Sequence, residues 1–168
     1  MDAANSGATL HGGEGNDYLS VSGGTGSVLY GDAGDDTLVG SGATTYRFGQ
    51  GDGADTIVDA NGLADDDRIE YGSGIAYDQL WFAMNGNSLE ISVIGTGDKV
   101  TVSGWGLGAA NRIETIQVVD GHYLLENKVQ QLVDAMASMT PPTSGQTTLS
   151  AQQQQDLAAT FSQTWQTS

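Results

Sequence analysis

The chain has no cysteine and only two prolines in 168 residues. Without cysteine there is no disulfide framework, no thiolate metal site and no thiol nucleophile, and the compartment stays open. Positive charge is almost as scarce: five Lys plus Arg face 21 Asp plus Glu, for a formal net charge of −16. Such a balance excludes nucleic acid and anionic membrane surfaces as partners and makes a cation the natural one. No apolar run is long enough to span a bilayer, and the opening MDAANSGATLH has neither the basic nor the apolar region of a Sec signal peptide. Histidine is confined to His11 and His122, which lie far apart in the chain and read as surface or turn residues. HExxH, GxSxG and Walker patterns are missing, so the sequence reads as non-enzymatic.

Glycine and aspartate are what the chain has in abundance. The 25 glycines follow no G-X-Y period, which excludes collagen and points to turns with positive φ. Thirteen of the acids fall in residues 1–70, six in 71–128 and two in 129–168. Within the first zone a nonapeptide recurs, G-G-x-G-x-D-x-U-x with U a large apolar residue. GGEGNDYLS (12–20) fits fully, GDAGDDTLV (31–39) puts Asp32 at the second glycine, and QGDGADTIV (50–58) puts Gln50 at the first. SGGTGSVLY (22–30) and GSGATTYRF (40–48) are degenerate, with Ser27 and Thr44 or Thr45 where the aspartate belongs.

Asp17, Asp36 and Asp55 are each 19 residues apart, two nonapeptides plus one residue. With one turn and one short strand per nonapeptide, two units complete a circuit. The three good turns then stack along one edge and the degenerate turns along the other. Glycines let each turn point carbonyl oxygens inward, and calcium requires about six to eight oxygen ligands. One ion is expected between Asp17 and Asp36 and a second between Asp36 and Asp55, so that at least two Ca2+ are bound. Leu19, Leu29, Leu38 and Ile57 point inward from the strands, and Leu10 and Tyr46 extend that stack. So many close carboxylates repel one another without metal, which couples binding to folding.

These residues resemble the C-terminal region of RTX (repeats-in-toxin) proteins, the calcium-dependent proteins exported by type I secretion. YRFGQGDGADTIVDANG (46–62), DDRIEYGSGIAYDQLWF (66–82), LEISVIGTGDKVTVSGW (89–105) and RIETIQVVDGHYL (112–124) are similar to the haemolysin-type calcium-binding related domain that caps such repeats. The resemblance implies carbonyl ligands at Gly12, Glu14, Gly31, Asp32, Ala33, Gly34, Gly51 and Gly53, with side-chain ligands at Asp17, Asp36 and Asp55. Asp59 and Asp67 could close a further site; the alternative is that Asp65, Asp66 and Asp67 form a solvated acidic turn.

The expected fold is all-β: a parallel β-roll over 1–58, a capping region of antiparallel strands over 59–123, and a short amphipathic helical tail over 124–168. Trp81, Phe82 and Trp105 in alternating strands read as core. Leu125, Val129, Leu132, Val133, Met136 and Met139 recur at helical spacing until Pro141 and Pro142. Ser150 with Gln153 forms a capping box for a second helix carrying Leu157, Phe161 and Trp165. The tail resembles an uncleaved type I secretion signal; packed helices and self-association are the alternatives. The expected partners are calcium, the secretion machinery and a larger parent polypeptide, with secretion to the exterior or the cell surface. A carbohydrate-binding repeat module and an oligomerising or adhesive surface module are the competing functions.

Overall fold

A computed structural model describes residues 2–3, 7–23, 26–59, 66–143 and 145–168. Gly24 and Thr25 of one degenerate repeat, and Asp65 of the acidic turn, lie outside the described residues. The first eight strands are β1 (Asp2–Ala3), β2 (Thr9–Glu14), β3 (Tyr18–Val21), β4 (Ser27–Ala33), β5 (Thr37–Gly40), β6 (Thr44–Phe48), β7 (Ala54–Asp59) and β8 (Arg68–Tyr71). They are followed by β9 (Leu80–Asn85), β10 (Ser88–Val93), β11 (Lys99–Val102), β12 (Thr115–Val118) and β13 (His122–Leu125). Helices α1 (Glu126–Ala137) and α2 (Ala151–Thr164) then lead to a last strand, β14 (Trp165–Thr167).

The chain switches between two seven-stranded sheets, ordered β1-β3-β5-β7-β11-β10-β9 and β14-β13-β12-β8-β6-β4-β2. From β1 to β8 every ladder is parallel, and each strand pairs with the next but one. Leu19 pairs with Leu38 and Leu38 with Ile57, so the 19-residue spacing of the aspartates is also the strand register. Period-2 alternation fixes that register, because a slip by one residue would turn each leucine out to solvent.

Two columns of side chains fill the space between the sheets. Leu19, Leu38, Ile57, Val102 and Leu89 form one by direct pairing, and all are buried. Leu10, Leu29, Tyr46, Ile69, Ile116, Leu124 and Trp165 form the other, one from each strand of the second sheet. Each such burial stabilises the fold by about 1.5–3 kcal/mol.

The cap is not purely antiparallel. β9 and β10 form an antiparallel hairpin, yet β11 joins β7 in parallel and β12 joins β8 in parallel. Val100, Val102, Ile116 and Val118 carry the inward alternation of the repeats into the cap and continue both sheets without a break. Trp81, Phe82 and Trp105 are buried as core.

The tail folds onto this end. Val129, Leu132, Val133 and Met136 of α1 are buried. Ser150 caps α2, its Oγ accepting from the Gln153 N–H at 3.2 Å while Gln153 Oε1 accepts from the Ser150 N–H at 2.9 Å. Trp165 closes α2 and starts β14 instead of continuing the helix, because its backbone pairs with Leu124 while its ring packs between Tyr77 and Phe82.

Leu38 is fully buried and Tyr18 is 58% exposed on the same sheet. Leu38→Ala is expected to cost about 2–5 kcal/mol and Tyr18→Ala no more than about 0.5 kcal/mol, read from urea midpoints at saturating calcium.

Candidate metal centre

Because β3, β5 and β7 lie in register, Asp17, Asp36 and Asp55 stand in single file along one edge. The Asp17 N–H donates to Asp36 Oδ1 at 2.7 Å, and the Asp36 N–H donates to Asp55 Oδ1 at 3.0 Å. A second ladder runs the other way at the fifth position of each turn. The Asp35 N–H donates to Asn16 Oδ1 at 3.1 Å, and the Ala54 N–H to Asp35 Oδ1 at 3.0 Å. Each circuit is thereby tied to the next in both directions.

Close approach explains the glycines. A Cβ at Gly31 would run into Asp36 Oδ2, and one at Gly53 into the Gly34 carbonyl oxygen. Asp32 takes φ 64°, a left-handed conformation that favours glycine. His11 supports it there: Nδ1 lies 3.0 Å from Asp32 Oδ2, and the imidazole stacks on Tyr30 at 4.2 Å between ring centroids. His11 is exposed and His122 half-buried against the Tyr77 ring, each beside an aspartate, with His122 Nδ1 at 2.8 Å from Asp120 Oδ1.

The edge is electrostatically costly. Burial pushes the Asp36 carboxyl up, opposed by the Asp17 N–H and reinforced by the charges of Asp17, Asp32 and Asp35. Asp55 is raised to about 7, again chiefly by burial, with Asp36, Asp52 and Asp35 adding to the effect. Asp52, which accepts from the Gly49 N–H at 2.6 Å, is raised by burial and by the charge of Asp98. Asp17 Oδ2 and Asp36 Oδ2 are buried without a hydrogen-bond partner. Buried carboxylate oxygens without donors are rare in folded proteins.

These oxygens suit a hard cation. Hydrogen-bond donors would have matched an anion, whereas oxygens of carboxylate and carbonyl type are the ligand set of calcium. Among the described residues, no three His, Asp or Glu side chains converge tightly enough to hold a metal by themselves. A cation at this edge would therefore need backbone carbonyls for most of its shell. Gly12 and Glu14 lie at the end of β2, Gly31, Asp32 and Ala33 at the end of β4 with Gly34 next, and Gly51 and Gly53 in the turn before β7. All of them belong to the same edge as the three aspartates.

Asp59 and Asp67 do not. Asp59 ends β7 and Asp67 precedes β8, which puts both on the opposite edge with Ser27 and Thr44. Thr44, rather than Thr45, is the partner of Ser27. There the Thr44 N–H donates to Asp67 Oδ1 at 2.6 Å, and the Asp67 N–H to Glu114 Oε2 at 2.8 Å. Burial raises Glu114, and Asp59 and Glu126 add to it.

Four residues of this arrangement were not singled out from sequence: Asn16, Asp35, Asp52 and Asp98. The Gly15 N–H donates to the Ala33 carbonyl and the Gly34 N–H to that of Asp52, both at 2.8 Å. Asp52 thus occupies in its turn the place that Ala33 has in the previous one, a correspondence visible in the third position of the nonapeptide. Asp98 sits in the turn GTGD, outside the repeats, and nothing in the spacing points to it.

Comparison with known families adds one finding at this point. The haemolysin-type calcium binding protein related domain matches residues 89–124. The matched segment runs from β10 to the middle of β13 and includes β11, the strand laid directly against β7. The match supports a relation to RTX-type proteins and a calcium-binding role for the module.

Carboxyls raised by folding stabilise the metal-free fold only while protonated. For Asp55 that contribution is complete below about pH 4, the unfolded value, and is lost as pH rises through about 7. Metal-free protein is therefore expected to have a higher urea midpoint at pH 5 than at pH 8. Saturating calcium should reverse the order, because the ion competes with the proton for the same oxygens.

Proposed function

We propose that the chain is a calcium-dependent folding module, a parallel β-roll that binds at least two Ca2+ ions, two of them along its acidic edge. The observation that carries this reading is Asp36. One of its carboxylate oxygens accepts from the Asp17 N–H, and the other is buried without a donor while the charges of Asp17, Asp32 and Asp35 act on the group. Asp17, Asp36 and Asp55 would hold the ions, together with carbonyls of Gly12, Glu14, Gly31, Asp32, Ala33, Gly34, Gly51 and Gly53. Calcium would supply the positive charge that five Lys and Arg among 168 residues do not. Asp59 and Asp67 are candidates for a further ion on the opposite edge.

The same physics serves export. Where calcium is scarce, repulsion keeps the repeats loose enough to thread through a type I secretion channel. Outside, at calcium on the order of 10⁻⁴–10⁻³ M, binding completes the roll. The tail is part of the switch: Leu124, Val129, Leu132, Met136, Leu157 and Trp165 are buried in the folded chain. A secretion machine reading this segment would have to do so before the module folds. The module would then support the extracellular folding of a larger toxin, adhesin or enzyme.

Circular dichroism during calcium titration of chelated protein tests the reading. Strand signal should rise cooperatively with calcium. Asp36→Ala should weaken the apparent affinity more than Asp17→Ala, because Asp36 faces both expected ions. A metal-free chain that already melts cooperatively at pH 8, with no response to calcium, would refute it.

A further inference from the structure

The calcium edge has to end somewhere, and Asp98 is placed where it ends. Gly15, Gly34 and Gly53 occupy equivalent positions in the three good turns. The first two donate their N–H groups to backbone carbonyls of the following circuit, at Ala33 and Asp52. Gly53 has no following repeat turn, and its N–H donates instead to Asp98 Oδ1 at 3.2 Å. The other oxygen, Asp98 Oδ2, accepts from the Gly51 N–H at 2.9 Å.

The surroundings of Asp98 hold it there. It is 8% exposed, its N–H donates to Thr96 Oγ1 at 3.0 Å, and its carbonyl accepts from the Val93 N–H at 2.9 Å. The N–H of the next residue, Lys99, donates to the Gly53 carbonyl at 2.9 Å and starts the parallel ladder to β7. In that ladder Asp55 pairs with Val100, so the column of aspartates passes into a buried apolar residue. A carboxylate accepting two convergent amides matches the anion-binding nest of a turn.

We propose that Asp98 is a positioning residue that terminates the calcium edge. It stands in for the missing next turn, fixes the loop 50–55 that carries Asp55, and limits this edge to the two positions between Asp17, Asp36 and Asp55. The inference rests on the calcium reading but concerns a residue outside the repeats. It also gives the segment matched by the related-domain family a definite role, since its GTGD turn closes the edge and couples the cap to the last ion position.

Calorimetric calcium titration of the full chain, with Asp98→Ala and Asp98→Asn, tests the proposal. Asp98→Ala should weaken one calcium by about tenfold or more and leave the number of ions unchanged. Asp98→Asn keeps one acceptor oxygen and should fall between. Amide exchange supplies an independent reading: Gly51 and Gly53 should lose protection in both variants, while Gly15 and Gly34 keep theirs. Ile116→Val, which thins the cap in the other sheet, should lower the melting temperature without singling out one calcium. Wild-type calcium affinity in Asp98→Ala, or unchanged protection of Gly51 and Gly53, would overturn the proposal. If Asp98→Ala does not fold, the Asp98→Asn titration and exchange decide. Should the wild type bind no calcium, the calcium reading fails, and the exchange of Gly51 and Gly53 at pH 5 still tests Asp98 as the turn's closing group.

Discussion

The constraint on which the structure depends is the stacking of like charges. Asp17, Asp36 and Asp55 are brought into file by the same register that pairs Leu19, Leu38 and Ile57. The apolar column cannot form without assembling the carboxylates, and the carboxylates oppose being assembled. Amides offset part of the repulsion by donating to Asp36 and Asp55. They cannot remove it, since burial and neighbouring acids still hold Asp55 at about 7. A proton or a cation can neutralise what remains, and the carbonyl oxygens of the glycine-lined turns are of the type a hard cation takes.

The two edges solve the turn differently. On the acidic edge each turn is linked to its neighbours by carboxylates and amides in two opposed ladders. On the other edge Ser27 and Thr44 replace the acids of the repeat, and Asp67 and Glu114 continue the line toward the cap. Hydroxyl-bearing turns need no ion to be tolerated. Ser27 and Thr44 thus bring no charge to that edge, and its acids, Asp59, Asp67 and Glu114, gather at its cap end.

Much of this was legible in the sequence because a solenoid repeats its physics. A fixed spacing between aspartates is at once a strand register and a core pattern, so one periodicity carried both inferences. The helices were legible for local reasons: Ser150 and Gln153 form their box within one turn of chain. What lay hidden was non-local. That β11 would lie parallel to β7 depends on a partner some 45 residues away, as in the pairing of Asp55 with Val100. Alternation alone reports that a strand has one buried face and is silent on its neighbour's direction. Trp165 shows the same limit, since its spacing from Leu157 and Phe161 is helical while strand pairing with Leu124 decides its backbone.

The ends of the sheets complete the argument. A solenoid built from identical turns has no internal reason to stop, and an exposed terminal strand would recruit another. Here the stop is made by substitution of parts. β11 and β12 copy the strand of one more circuit, Val100 and Val102 copy its core, and the Asp98 carboxylate copies its carbonyls. The hairpin β9–β10, the strands β13 and β14 and the helix α1 then cover what remains. A cap made in this way holds the last repeat turn in register with the two before it, so the order of the repeats continues into the cap and the tail.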